Sequence, residues 1–87
     1  METLNDLYAT AKDEFEIAAE ETEKQTVYAE DDRQACREAF GELQGAFERA
    51  VRECSPEVAK EVQGRTGPRI RELENAIKNM EEMAVEH

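Results

Sequence analysis

The side chains best supplied for chemistry in this chain are its carboxylates. Glu14, Glu16, Glu20, Glu21 and Glu23 crowd one stretch, and Asp+Glu outnumber Lys+Arg by 22 to 11 over 87 residues, a formal net charge of −11. Paired carboxylates can act as general acid and base, or hold a hard cation. Each use needs a second feature. A calcium loop requires a central Gly among its oxygen ligands, and none of the four glycines stands in the acidic run. A carboxylate di-metal bundle requires Glu-x-x-His pairs, and the one histidine is His87, the last residue. Cys36 and Cys54 have no Cys or His neighbours at zinc-binding spacing. On a straight helix their 18-residue separation spans roughly 27 Å, too far for a disulfide within the chain. Both are read as reduced, buried thiols. Ser55, the one serine, precedes Pro56, where helix capping accounts for it. The expectation is therefore no catalytic residue, no metal and no cofactor, with the acids forming a solvated helical face.

One stretch carries the opposite charge. Gln63-Gly64-Arg65-Thr66-Gly67-Pro68-Arg69 reads as a connector before a helix, with Arg71 close by. Free amides at a helix start together with arginines can hold a phosphate or carboxylate. Arg65, Arg69 and Arg71 are the candidate anion-binding loop, although the Gly-Lys-[Ser/Thr] of a phosphate-binding loop is missing.

Charge and length narrow the partners. A chain this acidic is repelled by nucleic-acid phosphates and by anionic membrane surfaces. No uncharged stretch is long enough to span a bilayer, and the N-terminal residues Met1–Asp6 lack a basic region followed by an apolar one. The expected setting is soluble, cytoplasmic and reducing. A chain of 87 residues is expected to form one domain over 1–87. Leu, Ile, Val and Phe together number only 15 of 87, a fraction at which highly charged chains tend towards disorder. Periodicity decides against that.

The elements that must position these residues are helices. Leu4, Tyr8, Ala11, Phe15, Ala18, Thr22, Gln25 and Ala29 recur at alternating steps of four and three, a heptad pattern predicting a helix from about Thr3 to Glu30, with Thr3 as its cap. Cys36, Phe40, Leu43, Phe47, Ala50 and Cys54 repeat the pattern, with Asp31 or Asp32 as cap. Gly41 and Gly45, four apart, either admit a close helix neighbour or lie on the surface. Ser55-Pro56-Glu57 marks the next start, and Ile70, Leu73, Ile77, Met80 and Ala84 form the last apolar line. Val58, Val62, Thr66 and Ile70 keep its phase, but the Gly64–Pro68 chemistry favours a break over a kinked, continuous helix. The fold class is all-α: an antiparallel three-helix bundle with coiled-coil-like seams and room for a short fourth helix at 56–63.

Residues 1–32 hold 11 acids and 2 bases, and residues 33–87 hold 11 acids and 9 bases. The first helix is thus a negative rod, and Arg33, Arg37, Arg49 and Arg52 are positioned by sequence to face its acids. Ile17, Tyr28, Val51, Met83 and Val85 fall at the edges of the apolar stripes. The functional expectation is a non-catalytic interaction module, a small subunit, adaptor or assembly factor. It docks a partner protein with a basic surface through Asp13, Glu16, Ile17, Glu20, Glu23 and Tyr28. The alternative is an acidic inhibitor or nucleic-acid mimic blocking a basic enzyme surface, which a continuous negative face over Asp13, Glu16, Glu20 and Glu23 would favour. Regular heptads also allow a homo-oligomer.

Overall fold

A computed structural model describes residues 2–85, and among them there are helices and no strand. The expectations resting on His87 and on the Val85 side chain lie outside the described residues. Three helices, α1 (Glu2–Lys24), α2 (Ala29–Glu53) and α3 (Pro56–Val85), form a rod of 45 × 19 × 14 Å. Arg33 on α2 reaches Thr22 on α1, Arg37 reaches Glu81 on α3, and the Phe47 ring lies beside Gly67. Rising numbers on α2 thus meet falling numbers on both neighbours, which makes the bundle antiparallel.

The core follows the heptad lines. Ala11 and Ala18 from α1, Cys36 and Leu43 from α2, and Ile70, Leu73, Ile77 and Met80 from α3 are buried against one another, with Tyr8, Phe15, Phe40 and Phe47 half-buried around them. Alanines on the α1 line let its backbone approach α2 closely. The larger apolar volume comes from α2 and α3, so most of the burial free energy resides there, at about 25 cal/mol per Å² of apolar surface.

The first helix ends earlier than its periodicity predicts. Gln25 takes a left-handed backbone (φ 57), its N–H donates to the Thr22 carbonyl at 3.1 Å, and the Thr26 N–H donates to the Glu21 carbonyl at 3.2 Å. This pair of bonds is a Schellman stop. The Thr26 hydroxyl also donates to the Glu21 carboxylate at 2.6 Å, fastening the same corner where an apolar contact is usual. A non-glycine residue in this region is strained by roughly 1–2 kcal/mol. Gln25→Gly is therefore expected to stabilise the fold by about 0.5–1 kcal/mol, after allowing for the freer unfolded chain, read as a raised midpoint in urea. Unchanged or lowered stability would contradict this reading of the corner.

Three predicted boundaries need correction. Thr3 lies within the first turn of α1 rather than capping it, a shift of the size that fraying helix ends produce. Tyr28 holds the N-cap position of α2 without a side-chain cap, and Glu30, Asp31 and Asp32 form its first turn. The acids there complement the positive end of the helix dipole, which needs no capping geometry. Cys54 is not on α2 but follows it as C-cap, its N–H donating to the Ala50 carbonyl at 3.0 Å. Ser55 does cap α3: its hydroxyl accepts from the Val58 N–H at 3.4 Å and its carbonyl from the Ala59 N–H at 2.8 Å.

The largest departure is that α3 runs unbroken through Gly67-Pro68. The break favoured by sequence is absent, and residues 56–63 are the first turns of α3 rather than a separate helix. Magnitudes explain why. A proline inside a helix costs about 3 kcal/mol. Val62 and Ile70, on either side of it, are both buried, and each is worth roughly 1.5–3 kcal/mol. A break would move one of them out of phase with the core. Gly67 also lowers the local penalty, because the residue before proline is held out of the helical region partly by its own Cβ. Gly41 and Gly45 have nothing within 4 Å of where a Cβ would stand, so within the chain they admit no close neighbour and lie on the open side of α2.

Candidate functional site

The acidic face of α1 follows from its angular arithmetic. Ala11, Ala18 and Thr22 point into the bundle and are buried. At 100° per residue, positions 13, 16, 20 and 23 fall on the opposite side, and Asp13, Glu16, Glu20 and Glu23 are all exposed there. Steps of three, four and three residues put them in one line, roughly 15 Å long at 1.5 Å per residue. Ile17, 48% exposed, flanks that line. Tyr28, 66% exposed, is on the α1–α2 corner beyond its upper end.

Very little inside the molecule neutralises this face. Lys24 pairs with Glu20 at 2.9 Å on the same helix. The hydrogen bond and charge of Lys24 hold the Glu20 carboxyl below its ordinary value, and the Lys24 ammonium is raised in return. Among the described residues no ion pair joins α1 to another helix. The expectation that arginines of α2 face the acids of α1 is therefore corrected. Arg33 donates to the Thr22 hydroxyl at 3.0 Å, and Arg37 pairs with Glu81 of α3 at 2.8 Å. Arg49 and Arg52 are exposed, and among the described residues neither forms an ion pair. The reason is geometric: an arginine beside the α1–α2 seam meets the inward side of α1, where Thr22 stands, and the acids point away.

The candidate anion loop does not exist as a loop. Arg65, Arg69 and Arg71 sit on the continuous α3. Helix-interior amides are consumed by the helix's own ladder, so the free donors that an anion site needs are missing. Arg65 pairs with Glu61 at 3.2 Å. Arg69 shares its side of the helix, whereas Arg71 lies roughly 160° away from Arg69 at 100° per residue. The three arginines do not converge.

The cysteines differ from one another. Cys36 is fully buried, and Cys54 is only partly buried, against the expectation that both are inside. Burial pushes the Cys36 thiol up to about 11, with the charges of Glu81 and Glu14 adding and Arg37 opposing. A thiol reagent at neutral pH is therefore expected to label Cys54 in the folded chain and Cys36 only after unfolding. The sign of the pH effect follows from linkage. A group whose pKa is raised on folding favours the fold while protonated, so this contribution is complete below pH 9 and is lost as pH rises towards about 11. Equal labelling of both thiols in the native state would contradict this arrangement.

Open clefts mark the surface of the rod. One of about 490 Å³ opens at the end of the rod, between the α1–α2 corner and Ala84 near the end of α3. Another, of about 430 Å³, lies between α2 and α3 beside Phe47, Val51, Arg52 and Gln63. Thus Val51 is half-buried in an intramolecular groove, and the stripe-edge residues do not form a single patch. Among the described residues no three His, Cys, Asp or Glu side chains gather to hold a metal ion, and no helix is long and apolar enough to cross a membrane. Val27, 87% exposed at the same corner as Tyr28, is not among the residues singled out by sequence, because the heptad line runs past it to Ala29 as though the first helix continued.

No curated protein and no solved structure matches this chain. A family model for the embryogenesis-like protein helical domain matches residues 1–82, which takes in α1, α2 and most of α3. With nearly its whole length matched and its helical architecture in agreement, the chain belongs to the embryogenesis-like protein helical domain family.

Proposed function

We propose that this chain is a non-catalytic docking module that presents the acidic face of α1 to a basic surface on a partner protein. The observation that carries the reading is the line of Asp13, Glu16, Glu20 and Glu23, exposed together and, among the described residues, paired only through Lys24 of the same helix. Exposed charge left unneutralised raises encounter rates with an oppositely charged surface and fixes orientation on docking. The shallow, open clefts suit contact with a large partner better than enclosure of a small substrate.

The test replaces Asp13, Glu16, Glu20 and Glu23 by Asn or Gln in one variant. Capture of partner proteins from native extract is compared with that of the unaltered chain at low and high salt. The expected result is a loss of capture of tenfold or more at low salt, with helix content unchanged, and wild-type capture that weakens as salt screens the charges. Capture indifferent to both salt and substitution would overturn the proposal.

The same uninterrupted line supports a second reading, an inhibitor that covers a basic, polyanion-binding enzyme surface. Competition separates the two. Added duplex DNA displaces the chain from a nucleic-acid-binding enzyme and leaves an ordinary adaptor complex in place.

A further inference from the structure

The antiparallel topology sorts the charges by level. Thr22 lies level with Arg33, Arg37 with Glu81, and Phe47 with Gly67, so a plane across the middle of the rod passes near Asp13, Glu42 and Glu74. Towards the α1–α2 corner, residues 13–42 and 74–85 hold 14 acids and 4 bases, net −10. In the other half, residues 2–12 and 43–73 hold 7 acids and 7 bases, net zero. The negative charge belongs to one end of the rod and to all three helices, not to α1 alone.

That same end carries exposed apolar side chains. Val27, Tyr28 and Met83 are three of the five exposed large hydrophobics among the described residues, and the corner and the end of α3 hold all three. Val27 and Ala84 give apolar surface to the cleft at that end, whose lining is otherwise largely polar and includes Thr22, Gln25, Glu30 and Arg33; Tyr28 and Met83 are their chain neighbours, and Glu23, Asp31 and Glu82 are exposed at the same end. Exposed apolar side chains, a tyrosine among them, set among charged and polar groups are features that protein interfaces use.

We propose that this end of the rod is the docking tip, and that it enters an apolar pocket rimmed by Lys and Arg on the partner protein. The proposal rests on the docking-module reading and moves the energetic centre from the flank of α1 to the tip. A second copy of the chain does not fit as occupant. Two tips would bring net charges of −10 together. The rod's 19 × 14 Å cross-section also covers far less than the roughly 800 Å² per partner of a stable interface. A concave partner reaches that area by embracing the sides of the acidic half as well.

The test uses three synthetic 12-residue peptides followed by amide chemical shifts on the full chain: one alternating Lys and Leu, one alternating Lys and Ser, and one alternating Glu and Leu. The Lys-Leu peptide is expected to shift amides at 23–33 and 80–84 and to bind about tenfold tighter than either of the others. The double substitution Val27→Ser/Tyr28→Ser is expected to weaken it about tenfold, whereas Val58→Ser, an exposed apolar residue in the neutral half, changes nothing. Among the described residues Tyr28 contributes only its carbonyl to the start of α2, so the double variant is expected to keep the fold, which circular dichroism verifies. Equal binding of the Lys-Leu and Lys-Ser peptides along 13–23 would overturn the tip and leave the acidic-face reading standing. Shifts confined to the neutral half, indifference to the double substitution, or no binding by any peptide would also overturn it. The acidic-face reading itself falls separately, through indifference to neutralised α1 acids.

Discussion

Leu43→Ala is expected to destabilise the bundle by about 3–4 kcal/mol. Leu43 is fully buried, one of the largest such side chains, and it belongs to the core cluster that Ala11 and Ala18 of α1, Cys36 of α2 and Ile70, Leu73, Ile77 and Met80 of α3 share with it. Truncating a buried leucine removes its transfer free energy and leaves a cavity, together worth about 2–5 kcal/mol. The surroundings here cannot easily fill the space. The α1 members of the buried cluster are Ala11 and Ala18, which have no rotamers with which to move inwards. The whole domain is worth only about 4–13 kcal/mol at 0.05–0.15 kcal/mol per residue. The variant should therefore lose a large share of its stability, and at the low end of that range it will be partly unfolded at 37 °C. Urea unfolding followed by circular dichroism measures the effect. Ile17→Ala, at an exposed position, is the control and is expected to change stability by no more than about 0.5 kcal/mol. A loss below 1 kcal/mol at Leu43 would mean that the three seams do not meet there.

Pro68→Ala has the opposite sign and tests the continuity of α3. Pro68 is exposed inside a helix of 30 residues. It has no N–H to donate to the Gly64 carbonyl, and its ring crowds that carbonyl. Alanine restores the bond and removes the crowding. A proline in a helix interior is worse than alanine by about 3 kcal/mol, and part of that is already relieved by the adjacent Gly67. A gain of about 1–3 kcal/mol is expected, again from urea unfolding. Were Pro68 instead the first residue of a separate helix, its fixed φ would suit the position, and the substitution would be neutral or destabilising. The sign of one measurement thus decides between a continuous helix and a break.

The residues that were legible from sequence are those whose burial follows from phase. Leu4, Ala11, Ala18, Cys36, Leu43, Ile70, Leu73, Ile77 and Met80 stand on the predicted lines and are buried. Ser55-Pro56 marked a true helix start because capping and φ preference act locally. The corner at Gln25 was not legible in the same way. Its left-handed residue is neither Gly nor Asn, and the periodicity runs on through Thr22, Gln25 and Ala29 as if the helix continued. The faint sign was compositional: Lys24-Gln25-Thr26 has no apolar member. At Gly67-Pro68 local breaker chemistry and the shared phase of Val62 and Ile70 point opposite ways, and burial on both sides outweighs one missing hydrogen bond.

The candidate site was legible in part. Exposure of Asp13, Glu16, Glu20 and Glu23 follows from their angular distance from Ala11 and Ala18, which the sequence contains. The fate of Arg33 and Arg37 does not, because it depends on which side of α1 meets α2 and on how far α3 extends past it. The gathering of negative charge at one end required the antiparallel levels to be known. In the linear sequence those charges are split between residues 13–42 and 74–85, and the arginines between them disguise the polarity.

The acidic end of the bundle is the proposed partner-binding surface. Carbodiimide-driven amine labelling of carboxylates, with the chain free and then bound to the protein it retains from native extract, reads this surface directly. Glu16, Glu20, Glu23 and Glu30 should lose labelling several-fold on binding, with Glu48, Glu53 and Glu57 unchanged. Protection centred on Glu48, Glu53 and Glu57, with the acids of α1 labelled as freely as before, would contradict it.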